Sequence, residues 1–173
     1  MTQYNIIAES QEYTVVAEYD HVVTPAESYQ SEVDLEKEFI RLLGEQGYEY
    51  LPIHTEADLI SNLRSQLEKL NSYHFTDNEW TRFFGECIAN KNDDIVAKTA
   101  KIQDDYIQVL KRDTGESQNI KLIDKDNIHN NFVQVINQYV EEGGNYDTRY
   151  DVSILVNGLP LVHIELKRRG VQL

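Results

Sequence analysis

Tyr150 to Lys167 is the stretch of this chain with the least choice of conformation. Two runs rich in β-branched and aliphatic residues, Val152 to Val156 and Leu161 to Lys167, flank Asn157-Gly158. That dipeptide suits the positive φ required at both central positions of a tight hairpin turn, so an antiparallel hairpin is predicted. Its register follows from the side-chain pattern. With a strict two-residue loop, paired residue numbers sum to 315, which sets Asp151 against Ile164 and Val152 against His163 and mixes polar with apolar side chains on both faces. A sum of 316 aligns Val152, Ile154 and Val156 with Val162, Ile164 and Leu166 on one apolar face. The other face then carries Asp151, Ser153, Leu155, Leu161, His163, Glu165 and Lys167. Because a one-residue slip turns a whole strand over, the second register is predicted, with a bulge or three-residue loop near Leu159-Pro160, where proline has no amide to give to the ladder.

Upstream, the period is helical. Leu35, Phe39, Leu42 and Leu43 form a stripe after Ser31 and before Gly44 and Gly47; Leu59, Ile60, Leu63, Leu67 and Leu70 form another between Thr55 and Asn71-Ser72. Thr76-x-x-Glu79 reads as a capping box opening a third helix through Trp80, Phe83, Phe84 and Ile88, and a short helix is expected over Asp93 to Ala100. Beyond about residue 102 the pattern becomes strand-like: Tyr106 to Leu110 and Ile120 to Ile123 around Asp113-Thr114-Gly115, then Phe132 to Val140, then a turn at Gly143-Gly144-Asn145. The first 28 residues, with apolar clusters at Tyr4 to Ala8 and Tyr13 to Val16, are compatible with a strand or two or with an arm. Without repeats, low-complexity stretches or a Gly/Pro/Ser linker, residues 1–173 are expected to form one α/β domain, a mixed sheet flanked by helices.

Composition narrows the chemistry. The 173 residues carry a formal charge of -14, so binding to nucleic acid by net charge alone is excluded, and any contact with DNA has to be local. The lone Cys87 excludes an intramolecular disulfide and a thiolate zinc cluster; among Phe83, Phe84 and Ile88 it reads as an apolar packing group. There is no signal-peptide pattern and no run of 18 apolar residues, so a cytoplasmic protein without a membrane contact is expected.

In the predicted register Asp151 faces Glu165 with Cβ atoms roughly 5 Å apart. Two carboxylates this close repel unless a cation lies between them, and their oxygens suit a hard ion such as Mg²⁺. Lys167, two residues on, is within reach, and the Leu166 carbonyl is a possible further ligand. Carboxylates, a divalent ion and a lysine are what metal-dependent phosphodiester hydrolysis needs. The same three residues also fit a solvent-exposed ion-pair face.

Asp151, thirteen intervening residues, then Glu165-Leu166-Lys167 resembles the Asp…Glu-x-Lys motif of the restriction-endonuclease-like PD-(D/E)xK superfamily. Tyr150 stands where a proline often precedes the aspartate. The longer segments SYQSEVDLEKEFIRLLGEQGYEYL, from Ser28, and RYDVSILVNGLPLVHIELKRRGV, from Arg149, are similar to the N-terminal nuclease region of the motor/restriction (R) subunit of type I restriction-modification enzymes. The resemblance implies a restriction-endonuclease-like fold and Mg²⁺-dependent cleavage of double-stranded DNA. It implies catalytic roles for Asp151, Glu165 and Lys167, with Asp151 and Glu165 holding the metal. It further implies modification and specificity subunits as partners, and ATP-driven translocation by later domains of a larger subunit of which this chain is an N-terminal piece. No G-x-x-x-x-G-K-[ST] occurs here, and the family's Gln-x-x-x-Tyr helix would lie beyond Leu173. In some relatives an acidic residue of the first helix joins the metal site, for which Glu32 and Glu36 are the candidates.

From Asn145 to Leu173 four basic residues (Arg149, Lys167, Arg168, Arg169) stand against three acidic ones (Asp147, Asp151, Glu165), a local reversal of charge suited to a phosphate-facing edge. His163 is a base, a ligand or an ordinary strand histidine. The competing expectation from another class is a non-catalytic acidic docking or DNA-mimic module, in which the carboxylates serve only as charge.

Overall fold

The computed structural model describes residues 4–9, 15–19, 31–141 and 148–167, with side chains for 31–140 and 149–167. The chain divides into two units, Met1–Ser31 and Glu32–Leu173. The first is an antiparallel pair, β1 (Tyr4–Glu9) and β2 (Val15–Tyr19), with a bulge between Ile6 and Ala8. The two-strand reading of the N-terminal clusters is thus the one adopted.

The second unit is built on a four-stranded mixed sheet in the order β3-β6-β7-β8. The short β3 (Glu49–Tyr50) runs parallel to β6 (Val133–Glu141), and β7 (Thr148–Val156) and β8 (Leu159–Ile164) complete it in antiparallel fashion. Helix α1 (Glu32–Glu45) lies on one face, where Leu43, Phe39 and Ile40 pack on Val135, Val152, Ile154, Ile164 and Leu166. Helix α2 (Glu56–Asn71) covers the other, with Leu59 near Ile53, Ile136, Tyr139 and Leu155. Both sheet faces are therefore buried, and the face expected to be polar carries Ser153 at 1% and Leu155 at 0% exposure. Leu42, expected in the apolar stripe of α1, is 41% exposed, while Glu36 on the same helix is buried.

Local chemistry sets the helix ends. Thr55 Oγ1 accepts from the Asp58 amide, and Ser72 takes the left-handed conformation that closes α2. Thr55→Ala is expected to cost about 1 kcal/mol in urea denaturation, with the α2 amides losing their acceptor. Thr76 and Glu79 form the predicted capping box of α3 (Asp77–Phe83). The third helix does not continue as a regular one to Ile88: Phe84–Ile88 widens into a π-helical turn. Then come α4 (Ile95–Gln103) and the hairpin of β4 (Ile107–Lys111) and β5 (Ser117–Lys121), which is a sheet of its own. A second core of Leu63, Leu67, Phe75, Trp80, Phe83, Leu110, Ile120, Leu122 and Leu159 joins α2, α3 and this hairpin to the β7-β8 turn. Cys87 is half-buried at its margin, and burial raises its thiol pKa.

The β7-β8 hairpin reconciles the two registers. Val156 pairs with Leu159 across a two-residue Asn157-Gly158 turn, φ 51° and 82°, and Leu155 pairs with Pro160. Leu161 is then the extra residue of a bulge, after which Ile154–Val162, Ser153–His163 and Val152–Ile164 keep the sum of 316. The turn is buried: Asn157, 0% exposed, donates through Nδ2 to the Leu122 carbonyl (3.0 Å) and Asn131 Oδ1 (2.8 Å) and accepts from the Phe132 amide (2.9 Å). Val162, expected on the apolar face, is 45% exposed on this edge strand. The Gly143-Gly144-Asn145 turn, Asp147, Arg168 and Arg169 lie outside the described residues.

Candidate functional site

Asp151 sits in β7 and Glu165 to Lys167 follow the last residue of β8. The ladder ends at Val152–Ile164, and just past it the Leu166 amide donates to Asp151 Oδ2 at 2.7 Å. That bond fixes the aspartate against the Glu-x-Lys segment and leaves Oδ1 without a protein donor among the described residues. Glu165 Oε1 receives Lys167 Nζ at 2.6 Å, both side chains being substantially exposed. The Lys167 pKa is raised above the ordinary lysine value, first by the hydrogen bond to Glu165 and the charge of Glu165, then by the charges of Glu32 and Asp151. Lys167 is accordingly an ammonium at neutral pH. Its sensitivity to Glu32 and Asp151 brings the N-terminus of α1, the middle of β7 and the end of β8 into one electrostatic neighbourhood.

Glu36 lies one turn along α1 from Glu32. Only 9% exposed, it has no cation in ion-pair contact among the described residues and is met by two amides of β6, Asn137 Nδ2 at 2.6 Å and Gln138 Nε2. Both amides reach the same carboxylate because Gln138 has φ 53°, a left-handed conformation that interrupts the alternation of the strand. The flanking pairs Asn137–Val152 and Tyr139–Tyr150 place Gln138 across from Asp151. Gln138 Oε1 in turn accepts from Arg149 Nε. Sequence reasoning had Glu36 as a secondary candidate and did not find Gln138. The available signal was Asn137-Gln138, two consecutive polar residues inside a β-branched strand.

His163 engages the buried Ser153, Nδ1 to Oγ 2.8 Å, and stacks on Tyr150 with ring centroids 4.0 Å apart and 17° between planes. These rings line a cavity of about 180 Å³ together with Leu59, Ile136 and Tyr139 beneath α2.

As to metal, no group of three or more His, Cys, Asp or Glu side chains gathers among the described residues. The donors present at the hairpin end are the Asp151 and Glu165 carboxylates and the Leu166 carbonyl, all hard oxygens. This set fits a magnesium-like ion, which keeps several waters and typically takes one or two protein carboxylates together with substrate phosphate.

Residues 29–173 match the family model described as type I restriction enzyme R protein N terminus. The chain is 48% identical over 166 residues to the type I restriction enzyme EcoprrI endonuclease subunit of Escherichia coli, covering 95% of this chain and 53% of that protein. It is 39% identical over 150 residues to the type I restriction enzyme SsaAORF53P endonuclease subunit of Staphylococcus saprophyticus, and 37% identical over 151 residues to the SauMSSORF170P subunit of Staphylococcus aureus. Each staphylococcal match covers 84% of this chain and 16% of the relative. The chain thus spans about half the length of the first relative and about a sixth of the other two. Among the described residues no helix is long and apolar enough to cross a membrane.

Proposed function

Since this chain belongs to the type I restriction enzyme R protein N-terminal family, we propose that it is the nuclease domain of a longer restriction subunit, cutting double-stranded DNA with Mg²⁺ in assembly with modification and specificity subunits. The observation that carries this reading is the Leu166–Asp151 hydrogen bond, which brings the aspartate of one strand to the Glu-x-Lys segment following the next. Asp151, Glu165 and the Leu166 carbonyl would hold the ion. Bound there, a divalent cation offsets charge on the phosphodiester and acidifies water. Lys167, paired with Glu165 at 2.6 Å, contributes a positive charge that stabilises negative charge developing on the phosphate. Local charge supports nuclease over DNA mimic: Lys167 and Arg149 flank the carboxylates, whereas a mimic presents carboxylates without basic rims.

The test is plasmid cleavage by the assembled enzyme. Asp151→Ala and Glu165→Ala are each expected to lower cleavage roughly a thousandfold and Lys167→Ala roughly a hundredfold. Calorimetric titration of Mn²⁺ into this chain should show binding that disappears in the two carboxylate variants. Parental cleavage by Asp151→Ala would overturn the assignment.

A further inference from the structure

Resting on that nuclease reading, we infer that Arg149 binds a backbone phosphate of the DNA beside the metal site, and that Glu36 and Gln138 are the positioning residues that aim its guanidinium. Among the described residues, Arg41, Arg64, Arg82 and Arg112 each hold a carboxylate in an ion pair, and Arg149 has no such described partner. Arg149 is exposed, its Nε donates to Gln138 Oε1, and no described residue accepts from its Nη groups, which can serve an outside acceptor. A guanidinium fork meets a phosphate with two parallel hydrogen bonds, which a neutral amide on Nε leaves undisturbed.

The elements behind Arg149 are costly without such a role. A non-glycine residue sits at φ 53° in a strand, and a carboxylate is buried with no cation beside it among the described residues. Together they form a chain from Glu36 through Gln138 to Arg149 that terminates two residues before Asp151, with Gln138 bracketed across from Asp151 by the strand pairs on either side. The Glu36 carboxylate polarises the Gln138 amide, and the amide oxygen then attracts the guanidinium. Glu32 and Glu36 share a face of α1, so the helix that aims Arg149 through Glu36 also carries the Glu32 charge that helps to raise the Lys167 pKa. Arg149 lies two residues before Asp151 on β7 and Lys167 follows the end of β8, so both cations belong to the strands that carry the candidate site.

The experiment uses the assembled enzyme with full-length subunit, following plasmid cleavage against KCl concentration below DNA saturation. Arg149→Ala is expected to slow cleavage at least tenfold and to make log rate against log [KCl] shallower by about 0.9, the signature of one lost phosphate contact. Arg149→Lys should keep the parental slope and recover part of the rate. Gln138→Leu should slow cleavage only while Arg149 is present, the double variant being no slower than Arg149→Ala alone. Mn²⁺ affinity should be unchanged in Arg149→Ala. Parental rate and slope in Arg149→Ala overturn the inference, as does a slowed Arg149→Ala whose slope stays parental. If Asp151→Ala is inactive while Arg149→Ala behaves as the parent, only this inference fails; if Asp151→Ala cuts normally, the nuclease reading itself fails.

Discussion

Gly158→Ala is expected to destabilise the protein by about 3 to 5 kcal/mol and to lower its melting temperature by roughly 10 °C. A Cβ on Gly158 would stand 2.6 Å from Leu63 Cα and 3.0 Å from the Leu63 amide nitrogen. These are backbone atoms of α2 that no rotamer change can clear. The residue also has φ 82°, so an alanine meets steric strain before it meets the helix. Gly115→Ala is the control. It sits at φ 89° with nothing within 4 Å of the added carbon, and so isolates the conformational part at about 1 kcal/mol. Equal melting of the two variants would sink the claim that the hairpin turn is seated on the backbone of α2. The position bears on function because the turn anchors β7 and β8, the strands that carry Asp151 and lead to Glu165 and Lys167.

Glu79→Ala is expected to cost about 3 to 4 kcal/mol by urea denaturation. Glu79 is 3% exposed and accepts three hydrogen bonds: Tyr73 Oη at 2.8 Å, the Thr76 amide at 3.1 Å and the Asp113 amide at 3.0 Å. Alanine leaves three donors in or near the core without their acceptor, each worth about 1 to 3 kcal/mol where water cannot replace it. The same donors, with the Thr76 amide foremost, hold the Glu79 carboxyl below the ordinary glutamate range. A lowered folded-state pKa contributes stability that is fully present above the unfolded value, about 4.3, and is lost as pH falls through the folded value. The stability difference between the parent and Glu79→Gln should therefore shrink as pH is taken from 7 towards 3. A difference constant over that range would mean that the charge of Glu79 plays no part in joining α3 to the β4-β5 turn.

The capping box of Thr76 and Glu79 was legible in the sequence because a cap is made with partners three residues away. The hairpin was legible for a related reason. Asn157-Gly158 selects the turn and alternation selects the faces, and the conflict between a two-residue loop and a 316 register had to be absorbed by an extra residue, which proved to be Leu161. Family resemblance picked out Asp151, Glu165 and Lys167 as a spacing. What brings Asp151 to that segment is the Leu166 amide, a backbone group whose direction depends on where β8 stops.

Other features depended on burial, which periodicity does not report. The helical stripe placed Leu42 inside and gave Glu36 no reason to be there, yet Leu42 faces outward and Glu36 is covered, because two amides of a distant strand compensate the carboxylate. The Glu36–Gln138–Arg149 chain joins residues 102 and 11 positions apart, and nothing local connects them. The sequence by itself determined the caps, the turn and the identity of the hairpin's two faces, since these follow from backbone preferences and side-chain period over a few residues. The tertiary structure alone decided the burial of both sheet faces, the seating of Gly158 on α2 and the positioning of Arg149 from α1, because each depends on which surfaces meet once the helices have closed over the sheet.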